Sequence, residues 1–159
     1  MVALHRFPLV FSLLAAGSSL AADLPAGGAV VGGQGSIQQA GNTMTVNQGS
    51  QDMVVNWDSF NVGAGHAVNF VQPSAQAAVL NRVMGADVSV IQGAINANGR
   101  VFLVNPNGVL FSPTAQVNVG SMVASTLSMS TQDFMAGNYR FEGSSSNAII
   151  NQGNITAVG

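Results

Sequence analysis

Asp58, Ser59 and His66 lie close together in the chain, and an acid, a hydroxyl and an imidazole are the parts of a nucleophilic triad. A serine used that way needs a sharp turn of the G-x-S-x-G kind to present its oxygen, and Asp58-Ser59-Phe60-Asn61 is not such a turn. His66 is the only histidine once an N-terminal leader is removed, and there is no cysteine, so nothing nearby would complete a metal site or activate a nucleophile. It reads as a surface or loop histidine. The six acidic residues are dispersed with no D-x-D run, which leaves no cage for calcium. No catalytic, cofactor-binding or metal-ligating residue is expected.

Two charge pairs remain. Arg82 precedes Asp87 by a few residues, and Arg140 lies two before Glu142, a spacing that puts both charges on one face of a strand. Exposed pairs of this sort contribute at most about 1 kcal/mol and read as solvated structure. Trp57, Phe60, Phe70, Phe102 and Phe111 could stack on a glycan, but aromatic residues within strands are more often core.

The strongest local signal is conformational. In Val101-Phe-Leu-Val-Asn-Pro-Asn-Gly-Val-Leu-Phe111 two apolar runs flank Asn105-Pro106-Asn107-Gly108. Pro106 presets φ at the second turn position, the Asn105 side chain can accept a backbone N–H, and Asn107 or Gly108 can take a left-handed conformation. The four residues predict a rigid corner between strands 101–104 and 109–111.

The elements around that corner are short strands. Met44-Thr45-Val46, Met53-Val54-Val55, Val68-Asn69-Phe70, Val88-Ser89-Val90 and Val117-Asn118-Val119 have β-type runs, several strictly alternating. Gly41-Asn42, Asn98-Gly99, Asn107-Gly108 and Gly153-Asn154 punctuate them as turn signals that tolerate positive φ. Helix is predicted only near Ser130–Asn138, where Ser130 with Asp133 forms a capping arrangement and Gly137 a C-cap. Pro73–Met84 suits either element and is assigned to strand on the alternation of Ala77, Val79, Asn81 and Val83. A loose repeat, Ile91–Ile95, Val104–Val109 and Ile150–Ile155, sets two aliphatic residues across a Gly-containing turn. Such spacing suits a parallel β-helix, with inward aliphatic columns and asparagine ladders at the corners.

Composition narrows the function classes. A chain of 159 residues is one domain, and its 6% charged residues include no lysine. With a net charge of -2 and isolated arginines there is no basic face for nucleic acid. Met1–Ala21 has His5 and Arg6 before an apolar run from Phe7 to Ala16, then Ser19-Leu20-Ala21, which reads as a secretory signal cleaved before Ala22, or alternatively after it. The run is too short to span a bilayer, so no stable membrane insertion is expected. The mature domain is then 22–159, stabilised without disulfides.

Val88–Ile95, Gly99–Phe111 and Ala115–Thr126 together closely resemble the N-terminal secretion domain of filamentous-haemagglutinin-like exoproteins, the large partners of Gram-negative two-partner secretion. Weaker similarity extends through Trp57–Gly63, Asn81–Gly85 and Asn151–Ile155. The resemblance implies an all-β fold: a right-handed parallel β-helix with an N-terminal cap and extra-helical hairpins. It also implies export by the Sec machinery to the periplasm in an extended state, recognition by periplasmic domains of a dedicated outer-membrane β-barrel transporter, and folding at the surface. Asn105, Pro106, Asn107 and Gly108 are the candidate secretion motif, with two compatible readings: a recognition element for the transporter, or a corner needed for folding, whose loss would reduce secretion without any direct contact. An earlier family motif, NPNL, is degenerate here: Gln72-Pro73-Ser74-Ala75 keeps only the proline, which puts a transporter contact at that point in doubt.

Three function classes follow. The first is a non-enzymatic secretion module of an adhesin, haemagglutinin or haemolysin-type protein, secreted or held at the cell surface, with any host-cell or glycan ligand bound by a region beyond this chain. The alternative is a β-helical polysaccharide-degrading enzyme, which needs paired carboxylates this chain does not cluster. An outer-membrane barrel is disfavoured by the low aromatic content, 6%, and the lack of regular ten-residue alternating strands. Ala148–Gly159 reads as a coil just begun, which predicts a longer exoprotein and end-to-end association of the isolated domain.

Overall fold

The computed structural model describes residues 22–159, so the expected signal peptide, 1–21, lies outside the described residues. Three strand faces recur along the chain. The first consists of β3 (Thr43–Gln48), β5 (Ala67–Val71), β8 (Ala94–Ala97), β11 (Gln116–Val119) and β14 (Asn154–Ala157), each paired parallel with the next. The second consists of β4 (Asp52–Trp57), β6 (Ala78–Val83), β9 (Arg100–Val104) and β12 (Ser121–Ser125), again parallel. The third holds β7 (Ser89–Ile91), β10 (Val109–Phe111) and β13 (Ile149–Asn151), with Val62 bridged to Ile91 ahead of them. The chain visits the faces in that order and begins again, which is a parallel β-helix.

An antiparallel cap closes the first turn. β1 (Ala29–Gly32) pairs antiparallel with β4, and β2 (Gly35–Ala40) with β3 through the Gly41-Asn42 hairpin loop. These strands cover edges that would otherwise present unpaired backbone groups to another chain.

The parallel register stacks like on like. Met44, Val68, Ile95, Val117 and Ile155 occupy one column of the first face, and Met53, Val79, Val101 and Met122 one of the second. Trp57, Phe60, Phe70 and Phe111 fill the interior between the faces, each at most 2% exposed, so they are core. Asn81 points into this apolar interior with both amide atoms satisfied: its Oδ1 accepts from Trp57 Nε1 at 2.9 Å and its Nδ2 donates to the Phe102 carbonyl at 3.2 Å. An unpaired amide at that depth would cost a few kcal/mol, about 1–3.

The second face is buried on both sides, which explains why Ala78–Leu80 and Val101–Val104 are continuous apolar runs. Its outer side carries Val54, Leu80 and Phe102, covered by the excursion 126–148 between β12 and β13. That excursion contains the single helix among the described residues, α1 (Thr131–Met135), capped as its sequence predicts by Ser130 Oγ accepting from Asp133 N at 3.0 Å. Gly137 follows with φ +80°, and an antiparallel bridge joins Ser128 to Glu142. Phe134 meets Phe102 edge-on at 5.2 Å, and Tyr139 lies 5.0 Å from Phe102 and under the Arg100 guanidinium. Aromatic contacts of this type add about 0.5–1.5 kcal/mol each beyond burial.

Several sequence expectations are corrected. The loose repeat mixes two kinds of corner: Ile91–Ile95 and Ile150–Ile155 turn from the third face to the first, with Ser112–Ala115 between them in the stack, whereas Val104–Val109 turns from the second face to the third. Any tight corner flanked by inward aliphatics has this appearance. The asparagine ladder is mid-strand on the first face, not at a corner; Asn96 Nδ2 donates to Asn69 Oδ1 at 2.9 Å and Asn118 Nδ2 to Asn96 Oδ1 at 3.5 Å. Of the four Asn and Gly turn signals only Gly41 and Gly108 adopt positive φ. Gly99 is required for a different reason, because a Cβ there would lie 2.8–2.9 Å from Ala77 O, Gln72 Oε1 and Ser74 O.

Candidate functional site

Stacking the corners brings together residues far apart in sequence. The corners from second to third face are 84–88, 105–108 and 126–148, so Asn105–Gly108 lies between the Gly85–Val88 loop and the end of the excursion. Asn105 is fully buried. Its Oδ1 accepts from Asn107 N at 2.9 Å, closing the predicted side-chain turn, and Gly108 N donates to the Asn105 carbonyl at 3.0 Å. The Asn105 Nδ2 reaches back to the preceding turn, donating to Asp87 O and Ser89 Oγ, both at 2.9 Å. Asn107 Nδ2 donates to Gly85 O at 2.8 Å. The carbonyl of exposed Pro106 accepts from Ser145 Oγ at 2.6 Å and Asn147 Nδ2 at 2.8 Å, tying the corner to the following turn. Gly108 takes φ +109°, and it is the only motif residue in the left-handed region.

Beside this corner runs a groove of about 650 Å³ lined by Arg82, Met84, Pro106, Asn107, Met129 and Glu142. Arg82 does not pair with Asp87 as expected from spacing. Its Nε donates to Asn56 Oδ1 at 2.9 Å, Nη1 to Met129 O at 2.9 Å and Nη2 to Thr131 Oγ1 at 2.8 Å. Pairing across turns puts Asn56 beside Arg82 in register, and the guanidinium thereby fastens the excursion to the second face. Burial lowers its pKa, yet an arginine remains charged. Arg140 does pair with Glu142, at 3.2 Å, but in an irregular stretch where both are largely exposed, and it also approaches Asp133 at 3.8 Å.

The degenerate motif Gln72-Pro73-Ser74 forms a corner of a different column, from first face to second, stacked between 49–51 and 98–99. Gln72 is only 6% exposed. Its Nε2 donates to Gln48 Oε1, Ala77 O and Arg100 O at 3.1–3.3 Å, and its Oε1 accepts from Gly99 N at 2.8 Å. Asn98 clamps the main chain of the same residue: Oδ1 accepts from Gln72 N and Nδ2 donates to Gln72 O, both at 2.8 Å. Ser74 Oγ completes the turn by accepting from Gln76 N and Ala77 N. Sequence reasoning names Gln72 only as a departure from NPNL and Asn98 only as part of a turn signal, and it misses Gln48. A glutamine ending one strand and an Asn-Gly pair one turn further on were the available signals.

The triad fragments are not assembled. His66 Nδ1 lies 3.1 Å from Ala64 O and Nε2 3.8 Å from Asp23 Oδ2, a pairing its sequence neighbours do not announce, whereas the Asp58 carboxylate packs over Gly27. Among the described residues no three His, Cys, Asp or Glu side chains converge on a metal-sized site.

What the two columns share is polar chemistry spent on joining turns, which is the business of a scaffold. A family model described as the TPS secretion domain matches residues 21–158. The chain belongs to that family. The heme/hemopexin-binding protein of Haemophilus influenzae strain Rd is 42% identical over 106 residues, 67% of this chain, and a second Haemophilus influenzae protein of the same name is 40% identical over 98 residues, 62% of this chain. The chain spans only 12% and 11% of the length of these relatives. The crystal structure of the HMW1 secretion domain from Haemophilus influenzae superposes with a TM-score of 0.79 at 34% identity, covering 84% of this chain and 36% of that one. This TPS domain is thus a secretion-directing module of the kind found in secreted exoproteins, with relatives named as a secretion domain and as heme/hemopexin-binding proteins.

Proposed function

We propose that residues 22–159 direct export of a longer protein by engaging the periplasmic domains of an outer-membrane β-barrel transporter while extended, and fold into the β-helix at the cell surface. The observation that carries this is the family match across 21–158. The preceding leader, 1–21, delivers the chain through the Sec machinery to the periplasm. Asn105-Pro106-Asn107-Gly108 is the segment read by the transporter before folding and becomes a stacked corner afterwards. The geometry supports such sequential use, because the exposed Pro106 ring is the part of the corner least committed to the fold.

The exported remainder is an adhesin, haemagglutinin or haemolysin-type protein with a host-cell or glycan ligand; the names of the relatives make heme or hemopexin capture the specific alternative. A following coil would stack on β13 and β14, where Ile149 and Ile150 are 38% and 47% exposed.

The test is secretion with and without the cognate transporter. The chain is expected in the medium only when the transporter is co-expressed, and deleting 22–159 from the longer protein is expected to abolish its release. Release that ignores the transporter, or survives the deletion, rejects the reading.

A further inference from the structure

Asn98-Gly99 and Asn107-Gly108 are the two Asn-Gly pairs in the chain. In such a pair the glycine nitrogen is sterically free to attack the preceding side-chain amide. The nitrogen forms a bond to Cγ, the Cγ–Nδ2 bond breaks, and Nδ2 leaves as ammonia with the proton given up by the glycine nitrogen. Water then opens the cyclic imide at one of its two carbonyls, giving aspartate or isoaspartate. Nothing beyond water is consumed.

We propose that Asn98 is a spontaneous deamidation site open only while the chain is unfolded, and that its modification prevents the Gln72 corner from closing. In the folded protein both reacting groups are held. The Gly99 N–H is committed to Gln72 Oε1 at 2.8 Å, and the Asn98 amide is fixed through both its atoms on the main chain of Gln72. Cγ therefore faces the Gln72 backbone while the nitrogen points to a different acceptor, although Asn98 itself is exposed to solvent. Attack requires both arrangements to break, hence local unfolding.

Modification removes what the corner needs. Aspartate at 98 retains an acceptor for Gln72 N but loses the donor to Gln72 O, placing a carboxylate oxygen against a carbonyl oxygen 2.8 Å from the former nitrogen position. Isoaspartate reroutes the main chain through the side chain and adds a methylene just before Gly99. Gly99 has no room for displacement: its virtual Cβ is within 2.9 Å of three oxygens, and its carbonyl accepts from Gly120 N at 2.9 Å and Ser121 N at 3.3 Å. Asn107 shares the unfolded-state chemistry, but its amide bonds through Nδ2 alone, to Gly85 O and Asn105 Oδ1, and does not clamp another residue's main chain through both its atoms. A chain held extended for export is therefore timed at Asn98: the longer it waits, the larger the fraction that can no longer fold.

The mature chain is incubated in mildly alkaline buffer with urea and, in parallel, folded in the same buffer without it, and peptides are mapped for the amide-to-acid mass shift and for isoaspartate. Both Asn98 and Asn107 are expected to convert in urea, with Asn98 slowed by about 30-fold or more in the folded sample, the factor given by a local opening free energy of about 2 kcal/mol. A partly converted sample is then diluted from urea and digested. Peptides modified at 98 are expected to concentrate in the protease-sensitive fraction, and those modified at 107 to do so less. Equal conversion of Asn98 in folded and unfolded chains, or equal partition of modified and intact Asn98 chains, overturns the proposal. These results do not involve a transporter, so failure here leaves the proposed export role standing.

Discussion

Gln72-Pro73-Ser74 and Asn105-Pro106-Asn107-Gly108 are both corners with a buried amide before an exposed proline, yet they are held by different means. Asn105 is short, so its Oδ1 folds back on Asn107 N and makes the turn itself, leaving Nδ2 to reach one neighbouring turn. Gln72 is one methylene longer and reaches past its own corner to Gln48 in the turn before and Gly99 and Arg100 in the turn after. The turn geometry that Asn105 supplies locally falls there to Ser74. One corner makes its turn with its own first side chain, is tied to both neighbouring turns by several separate residues and is bordered by a groove; in the other a single glutamine is the inter-turn staple.

The largest effect is expected from removing the staple. Gln72→Ala strips partners from Gly99 N, Ala77 O, Arg100 O and Gln48, several of them buried, and leaves a void, for a loss of about 3 kcal/mol or more. Urea denaturation of the mature chain measures it. Gln72→Asn is expected to lose nearly as much, because the shorter side chain cannot reach both neighbouring turns; a near-wild-type midpoint would show that reach is not what matters.

Asn105→Ala removes a local turn bond and two donors to the preceding turn, with an expected loss of about 2 kcal/mol. Asn105→Asp keeps the acceptor for Asn107 N but loses the donor to Asp87 O, so it separates the two contributions. Because Asn105 is fully buried, the new carboxylate is unsolvated and one of its oxygens stands against Asp87 O, so Asp is expected to lose at least as much as alanine even though Ser89 Oγ can turn its hydroxyl to donate; an Asp variant more stable than the Ala variant would show that the bond to Asn107 N outweighs the bonds to the preceding turn. A double-mutant cycle of Asn105→Ala with Ser89→Ala should return a coupling of about 0.5–1.5 kcal/mol, and zero coupling would remove Ser89 from the account.

The turn at Asn105–Gly108 was legible in the sequence and the staple was not, for a physical reason. Everything in Asn105–Gly108 that makes the turn acts within four residues, so local rules of turn chemistry reach it. The role of Gln72 depends on Gln48 and Gly99, residues brought close only once the turns are stacked in register. The same division runs through the fold. Alternation located the strands, and Ser130 with Asp133 located α1, because those signals are local. Nearness in sequence pairs Arg82 with Asp87, whereas its real partners are Asn56 one turn back and Met129 O and Thr131 in the excursion folded over the second face. The mixed repeat failed similarly: tight corners of different columns look alike until register separates them.

The smallest stability effect, and the sharpest test of what the NPNG corner is for, comes from Pro106→Ala. The ring is exposed, the residue's carbonyl keeps its bonds to Ser145 and Asn147, and the new N–H faces solvent, so the loss comes chiefly from a freer unfolded chain, about 0.5–1 kcal/mol. A corner important only for folding would then lose secretion only to the extent it loses stability, and Ser89→Ala, which weakens the same corner from outside the motif by about 1 kcal/mol, supplies the control. The expected result is a larger drop in transporter-dependent release for Pro106→Ala than for Ser89→Ala at equal or smaller destabilisation. Equal release from the two variants would mean that the transporter does not read the proline and that the motif contributes to export through folding alone.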